Sequence, residues 1–264
     1  MKNELEFAKK LAHDAGEIMR KNFDQTDISH YKSDDTIVTK ADTEINQMVI
    51  DRVRAEYPDH GVYGEEKSFD RDRKNLWVCD PIDGTKMFTL GFPLSVFSLA
   101  LVINGKPQLG VIYDPWIDKI YTAVKGQGAY CNNVPIKVNS STLGDHATVI
   151  NYSISRNSPY DIYGMLTGLS RNGNNISIIG SVAHGGVAVA NGAFVADIFT
   201  GTTNHNVDVA AVKVIIEEAG GKVTDLFGED QRYDGDIKGA IASNGIVHDE
   251  LVQIFKDNLE EEIK

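Results

Sequence analysis

Residues 77–88 read WVCDPIDGTKMF. An apolar run suited to a buried strand stops on two aspartates, Asp80 and Asp83, and is followed at once by Gly84 and Thr85. The strand NLWVCD places Asp80 at a sheet end, Pro81 stiffens the turn, and Gly84-Thr85 predicts the opening of a helix. Backbone N–H groups at such an opening lack intrahelical partners and carry partial positive charge, so they suit phosphate. Two carboxylates beside them would repel that phosphate unless divalent cations stood between. The stretch reads as carboxylate, metal, phosphate; an acidic turn capping a helix has the same appearance.

The flanks of this strand set the fold class. Upstream, helical spacing of apolar residues predicts a helix over 3–24, and the polar loop DQTDISHYKSDD leads to a short TIVT strand. A second helix over 42–56 ends at Pro58 and DHG. Downstream, LSVFSLALVING, QLGVIYDP, KIYTAVKG and GAYCN are β-branched and aromatic runs divided by turn signals, among them Asn104-Gly105, and predict an antiparallel meander. Beyond about residue 145 strands and helices alternate: ATVIN, a helix near 159–170, ISII, a helix near 181–191, AFVADIF, a helix near 206–219, then GAIASN and a terminal helix. Two successive sheets with helices predict an α+β layered sandwich, in an N-terminal part (1–145) and a C-terminal part (146–264).

Composition narrows the function. The chain has 264 residues, 42% apolar and 24% charged, and no run approaches the roughly 18 apolar residues of a membrane span, so no membrane partner is expected. Acidic residues outnumber basic ones 38 to 26, a net charge of −12 that disfavours nucleic acid. The first residues alternate apolar and charged groups and lack the apolar block of a signal peptide. Cys79 and Cys131 make no disulfide framework; a reducing, cytoplasmic setting is expected, with Cys79 a small buried apolar group.

Three further acidic segments stand out. GVYGEEKS places Glu65 and Glu66 together, TIVTKADTEIN puts Asp42 at a helix start, and NVDVAAVKVIIEEAGG puts Asp208 in the first turn of an apolar helix closed by Gly220-Gly221. Taken singly, a solvated loop and two capping aspartates account for them. Their joint order is more specific: an acid, Glu-Glu, Asp-Pro-Ile-Asp-Gly-Thr, then an Asp with eleven residues between it and Gly-Gly. This order resembles the inositol monophosphatase family, within the superfamily that also holds fructose-1,6-bisphosphatases and 3′-phosphoadenosine phosphatases. GQGAYCN (126–132) and AIASN (240–244) are similar to family segments as well.

The resemblance implies an αβαβα sandwich and a Mg²⁺-dependent phosphomonoesterase holding two to three ions. In this chain Glu65, Asp80 and the Ile82 carbonyl would hold the first ion, and Asp80, Asp83 and Asp208 the second; a third, weaker site would lean on Glu65. Asp42 and Thr85 would orient a metal-activated water for in-line attack, with Glu66 beside them. The N–H groups of Gly84 and Thr85 would hold the phosphate, and Gly180, Ser181 and Val182 would lie near the substrate. The resemblance further implies lithium sensitivity, a homodimer, and a hairpin around residues 26–37 that closes over the metals, with Lys32 available to the phosphate.

Two departures bear on the substrate. Val207 stands where the family often has Trp, which changes packing more than ligation. Inositol-selective members carry a glutamate seven residues before the last metal aspartate, and that position here is Gly201, among the neutral Thr200, Thr202 and Thr203. The missing acid predicts a broadened site for a small phosphorylated metabolite: inositol monophosphates, with NADP(H), fructose 1,6-bisphosphate or 3′-phosphoadenosine 5′-phosphate as alternatives. A non-catalytic cation or phosphometabolite binding protein is the reading from another class; a water-orienting pair such as Asp42 and Thr85 has no use there. His184 and His205 read as structural or peripheral.

Overall fold

The apolar run that ends on Asp80 and Asp83 is the second strand of a seven-stranded sheet in the computed structural model of the chain. The structure describes residues 1–23, 28–31, 37–145, 148–154, 158, 160, 162–201 and 206–262; Lys32, Thr202, Thr203 and His205 lie outside them. In chain order the elements are α1 (Lys2–Asn22), β1 (Ile28–Tyr31), β2 (Ile37–Thr39), α2 (Lys40–Glu56), β3 (Gly61–Gly64), β4 (Asn75–Asp83), α3 (Thr85–Thr89) and β5 (Val96–Ile103). They continue with β6 (Lys106–Asp114), β7 (Lys119–Val124), β8 (Ala129–Cys131), β9 (Val134–Pro135), β10 (Val149–Ile154), α4 (Tyr163–Arg171), β11 (Asn175–Ser177) and α5 (Val182–Ala190). The last are β12 (Ala196–Thr200), α6 (Asn206–Glu218), β13 (Lys222–Thr224), β14 (Ala240–Ser243) and α7 (His248–Glu262).

The large sheet runs β3 to β9 in sequence order, antiparallel throughout except for the parallel pair β3–β4. Asn104 and Gly105 both have positive φ (52° and 82°), the conformation a two-residue hairpin between twisted strands requires. The second sheet has the order β11-β10-β12-β14-β13, and β14 runs antiparallel to both of its neighbours. Four short strands differ from the sequence reading. β3 is half glycine, β9 and β13 are two and three residues long and too short to show a period, and β1 lies inside the segment read as a polar loop, where it pairs with β2.

Period-two alternation divides β5 between two cores: Phe97, Leu99 and Leu101 face one, Val96, Ala100 and Val102 the other. The first core packs α1 and α2 on the outer face of the large sheet, through Leu11, Met19, Ile45 and Val49. The second lies between the sheets around α5 and α6, and a third packs α4 and α7 on the far face of the small sheet. The layers are therefore αβαβα. α6 is buried almost all round, as a helix sandwiched between two sheets must be. α1 crosses β6 at glycine distance, since a Cβ on Gly16 would stand 2.3 Å from the Tyr113 ring.

Candidate active site

β4 does not end as a regular strand. Asp80 pairs with Ser98 and Asp83 with Val96, so three residues advance on β4 against two on β5. Side chains three apart on a strand face opposite ways, and one extra residue restores them to the same side. That bulge brings Asp80 and Asp83 to the first turn of α6, where carboxylate oxygens of Asp80, Asp83 and Asp208 lie within 4.8 Å of one another.

The cluster is crowded with negative charge. Burial, then the charges of Glu65, Asp208 and Asp83, hold the Asp80 carboxyl well above the usual carboxylate range. Burial and the charge of Asp208 push Asp83 up to about 7. Against that shift, the Ser181 hydroxyl donates to Asp83 at 2.7 Å, Val182 N–H donates at 3.3 Å, and Ala183 N–H donates as well, so Asp83 seats on the N-terminus of α5. A donor set of oxygens alone, with its ionised form raised in energy by burial and mutual repulsion, fits a hard divalent cation.

Asp42 lies beside this group on α2. It closes a capping box with Thr39, accepting Thr39 N–H at 2.7 Å, and is fully buried. Burial, with a contribution from the Glu65 and Glu66 charges, pushes its carboxyl up to about 7, against the Thr39 hydrogen bonds. The Thr85 hydroxyl lies 3.4 Å from Asp42 Oδ1 and donates at 2.8 Å to the Ile82 carbonyl. Asp42, Thr85 and Ile82 are thus joined at one point. Gly84, at φ 92°, makes the turn into α3, and Leu94 O at 2.8 Å leaves no room for a Cβ there.

Among the other residues singled out, Glu65 follows β3 and donates its N–H to Cys79 O at 3.1 Å. Gly180 has φ 79° and abuts Met87; the Ser181 hydroxyl is engaged by Asp83 and accepts His184 N–H at 3.1 Å, capping α5. Gly201 directly follows β12. His184 Nε2 stands 3.5 Å from Asp114 on β6, and burial lowers its pKa against the Asp114 charge. Cys79 is fully buried, and burial raises its thiol. Sequence reading missed Asn46, whose side chain touches the turn carrying Glu65 and Glu66. An asparagine inside a helix gives no local signal of partners twenty residues on.

A layered sandwich with a buried carboxylate cluster at a bulged strand end is the build of a metal-dependent phosphomonoesterase. Comparison with known proteins makes the assignment specific. The model of the inositol monophosphatase family matches residues 1–260. A Thermotoga maritima protein described as fructose-1,6-bisphosphatase/inositol-1-monophosphatase is 33% identical over 97% of each chain. A Chlorobaculum parvum histidinol-phosphatase is 32% identical over 96% of each. The structure of a Thermotoga maritima IMPase superposes with a TM-score of 0.86 at 30% identity, covering 98% of this chain and 99% of the other. The chain belongs to the inositol monophosphatase family, and its activity is that of a phosphoric monoester hydrolase.

Proposed function

We propose that the protein is a Mg²⁺-dependent phosphatase of inositol monophosphates with a broadened substrate range. The convergence of Asp80, Asp83 and Asp208 beside the Asp42–Thr85 contact carries this reading. Glu65, Asp80, Asp83, Asp208 and the Ile82 carbonyl would hold two to three Mg²⁺ ions. When bound, they would supply neutralisation of phosphate charge and acidification of a water. Thr85, held between Asp42 and the Ile82 carbonyl, positions the attacking water. Asp42, pushed up to about 7, accepts its proton near neutral pH. The Gly84 and Thr85 N–H groups hold the phosphate, with Glu66 beside them and Gly180, Ser181 and Val182 at the substrate wall.

Gly201 supports the breadth, because a wall without an acid repels neither a second phosphate nor a nucleotide. NADP(H), fructose 1,6-bisphosphate and 3′-phosphoadenosine 5′-phosphate are the alternative substrates, and the histidinol-phosphatase relative adds histidinol phosphate. We further place the protein as a lithium-sensitive homodimer in the cytoplasm, where free Cys79 and Cys131 would stay reduced. No helix of the described residues is long and apolar enough to cross a membrane.

The test is phosphate release from these five compounds by wild type and by Asp83→Asn. Release by wild type that collapses in the variant is expected. If inositol 1-phosphate is turned over at least a hundredfold more efficiently than every other compound, the broadened specificity is wrong.

A further inference from the structure

Asp42 and Asn46 stand one helical turn apart on α2, so their side chains share a face. Asn46 is only 1% exposed. Its Oδ1 accepts the N–H groups of Glu66 at 3.1 Å and Lys67 at 3.2 Å, and its Nδ2 donates to the Lys67 carbonyl at 2.9 Å. Both acceptor positions of the amide are therefore spent on one short stretch of backbone, the turn that carries Glu65 and Glu66 out of β3.

The approach is close enough to dictate a neighbour. A Cβ on Gly64 would lie 2.3 Å from Asn46 Oδ1 and 2.5 Å from Lys67 O, so only glycine admits the clamp there. The turn is held from the other side by Glu65 N–H donating to Cys79 O at 3.1 Å, the residue before Asp80. These two attachments work against a force. Glu65 raises the pKa of Asp80 and Asp42, which means the carboxylates repel one another across the cluster. A cavity of about 240 Å³ adjoins the turn, lined by His30, Thr43, Asn46, Gln47, Glu66 and Lys67. Without the Asn46 bonds, the turn has room beside it to yield to that repulsion.

We propose that Asn46 is a positioning residue for the metal site, fixing Glu65 and Glu66 at a set distance from Asp80 and Asp42 while touching neither metal nor substrate. The proposal rests on reading the acid cluster as a divalent-cation site. Helix α2 then acts as a spacer: Asp42 faces the reacting water, and one turn later Asn46 holds the acids on the metal side. Loss of the clamp costs cation affinity, because the ligands must be drawn back against their own repulsion before each binding event.

The experiment is calorimetric titration of Mg²⁺ into wild type, Asn46→Ala, the milder Asn46→Ser and the control Gln47→Ala, without substrate. Substrate KM at saturating Mg²⁺ and the metal-free Tm are measured alongside. Mg²⁺ dissociation constants raised tenfold or more in Asn46→Ala, less in Asn46→Ser and under twofold in Gln47→Ala are expected, with KM changed less than twofold. A purely structural asparagine would lower Tm and leave Mg²⁺ affinity alone. Affinity within twofold of wild type in whichever Asn46 variants fold overturns the proposal. A wild-type protein that takes up no Mg²⁺ overturns the metal-site reading itself, and the proposal with it.

Discussion

Asp42 and Asp83 are both held near pH 7 by burial, well above the 3.8 of a free aspartate, and the sign of this shift has a measurable consequence. The metal-free folded protein binds these protons more tightly than the unfolded chain does. Its stability therefore falls as pH rises from about 4 to about 7, by at most roughly 1.4 kcal/mol per pH unit for each proton released. A cation that binds the ionised cluster reverses this loss. The Mg²⁺-induced rise in Tm should accordingly be larger at pH 8 than at pH 5, and an equal rise at both would contradict it. Asp42→Asn separates proton acceptance from metal holding: kcat should drop by roughly 10²–10⁴, while calorimetric Mg²⁺ affinity stays within threefold. Asp83 stood out as a candidate because Asp-Pro-Ile-Asp-Gly-Thr puts it in one turn with Asp80 and Thr85, whereas Asp42 stood out only through the joint order of the acidic segments. Asn46 did not, since its partners come from a distant strand end and only the folded chain brings them together.

At the scale of elements, hydrophobic period made the long helices and the β5–β6 hairpin readable, and the Asn104-Gly105 turn carried its own conformational signature. The bulge in β4 was not readable, because a strand's register is defined by its partner. Nor was β3: GVYG is half glycine, and the first of these glycines is required by the Asp70 carbonyl, 2.2 Å from where a Cβ would stand. Element ends are also tied by side chains that no period reveals. Glu218, the last residue of α6, accepts the N–H groups of Gly126 and Gly128, both at 2.7 Å, and so fastens the β7–β8 turn to the helix that begins near Asp208. Glu218→Ala leaves two donors without their carboxylate. It should cost about 1–3 kcal/mol in urea unfolding, with phosphatase activity at 25 °C nearly unchanged. A neutral variant would show that solvent serves the turn equally well.

For the molecule as a whole, the core between the sheets decides cooperativity. Leu76 and Val78 of the large sheet and Phe199, Ala240 and Ala242 of the small one belong to a single buried cluster around α5 and α6. Neither sheet keeps that core without the other, so a single calorimetric transition is expected, and two resolved transitions would mark 1–145 and 146–264 as independent units. The surface then sets the assembly. Phe92 N–H donates to Met87 O at 3.0 Å, and the Met87 methyl stands 2.7 Å from where a Gly180 Cβ would be. Leu90 (58% exposed) and Phe92 (54%) follow α3, and Ile178 (55%) lies two residues before Gly180, so exposed apolar side chains occur on both segments that meet at Met87. Each large side chain is worth about 1.5–3 kcal/mol when buried, and in a twofold interface every residue counts twice. About half of each side chain is still exposed, so the burial left to gain is of the same order as the association cost. Phe92→Asp would bring carboxylates to the same patch on both copies. Solution scattering should give twice the chain mass for wild type and the single-chain mass for the variant; a dimer that survives the substitution would move the interface elsewhere on the molecule.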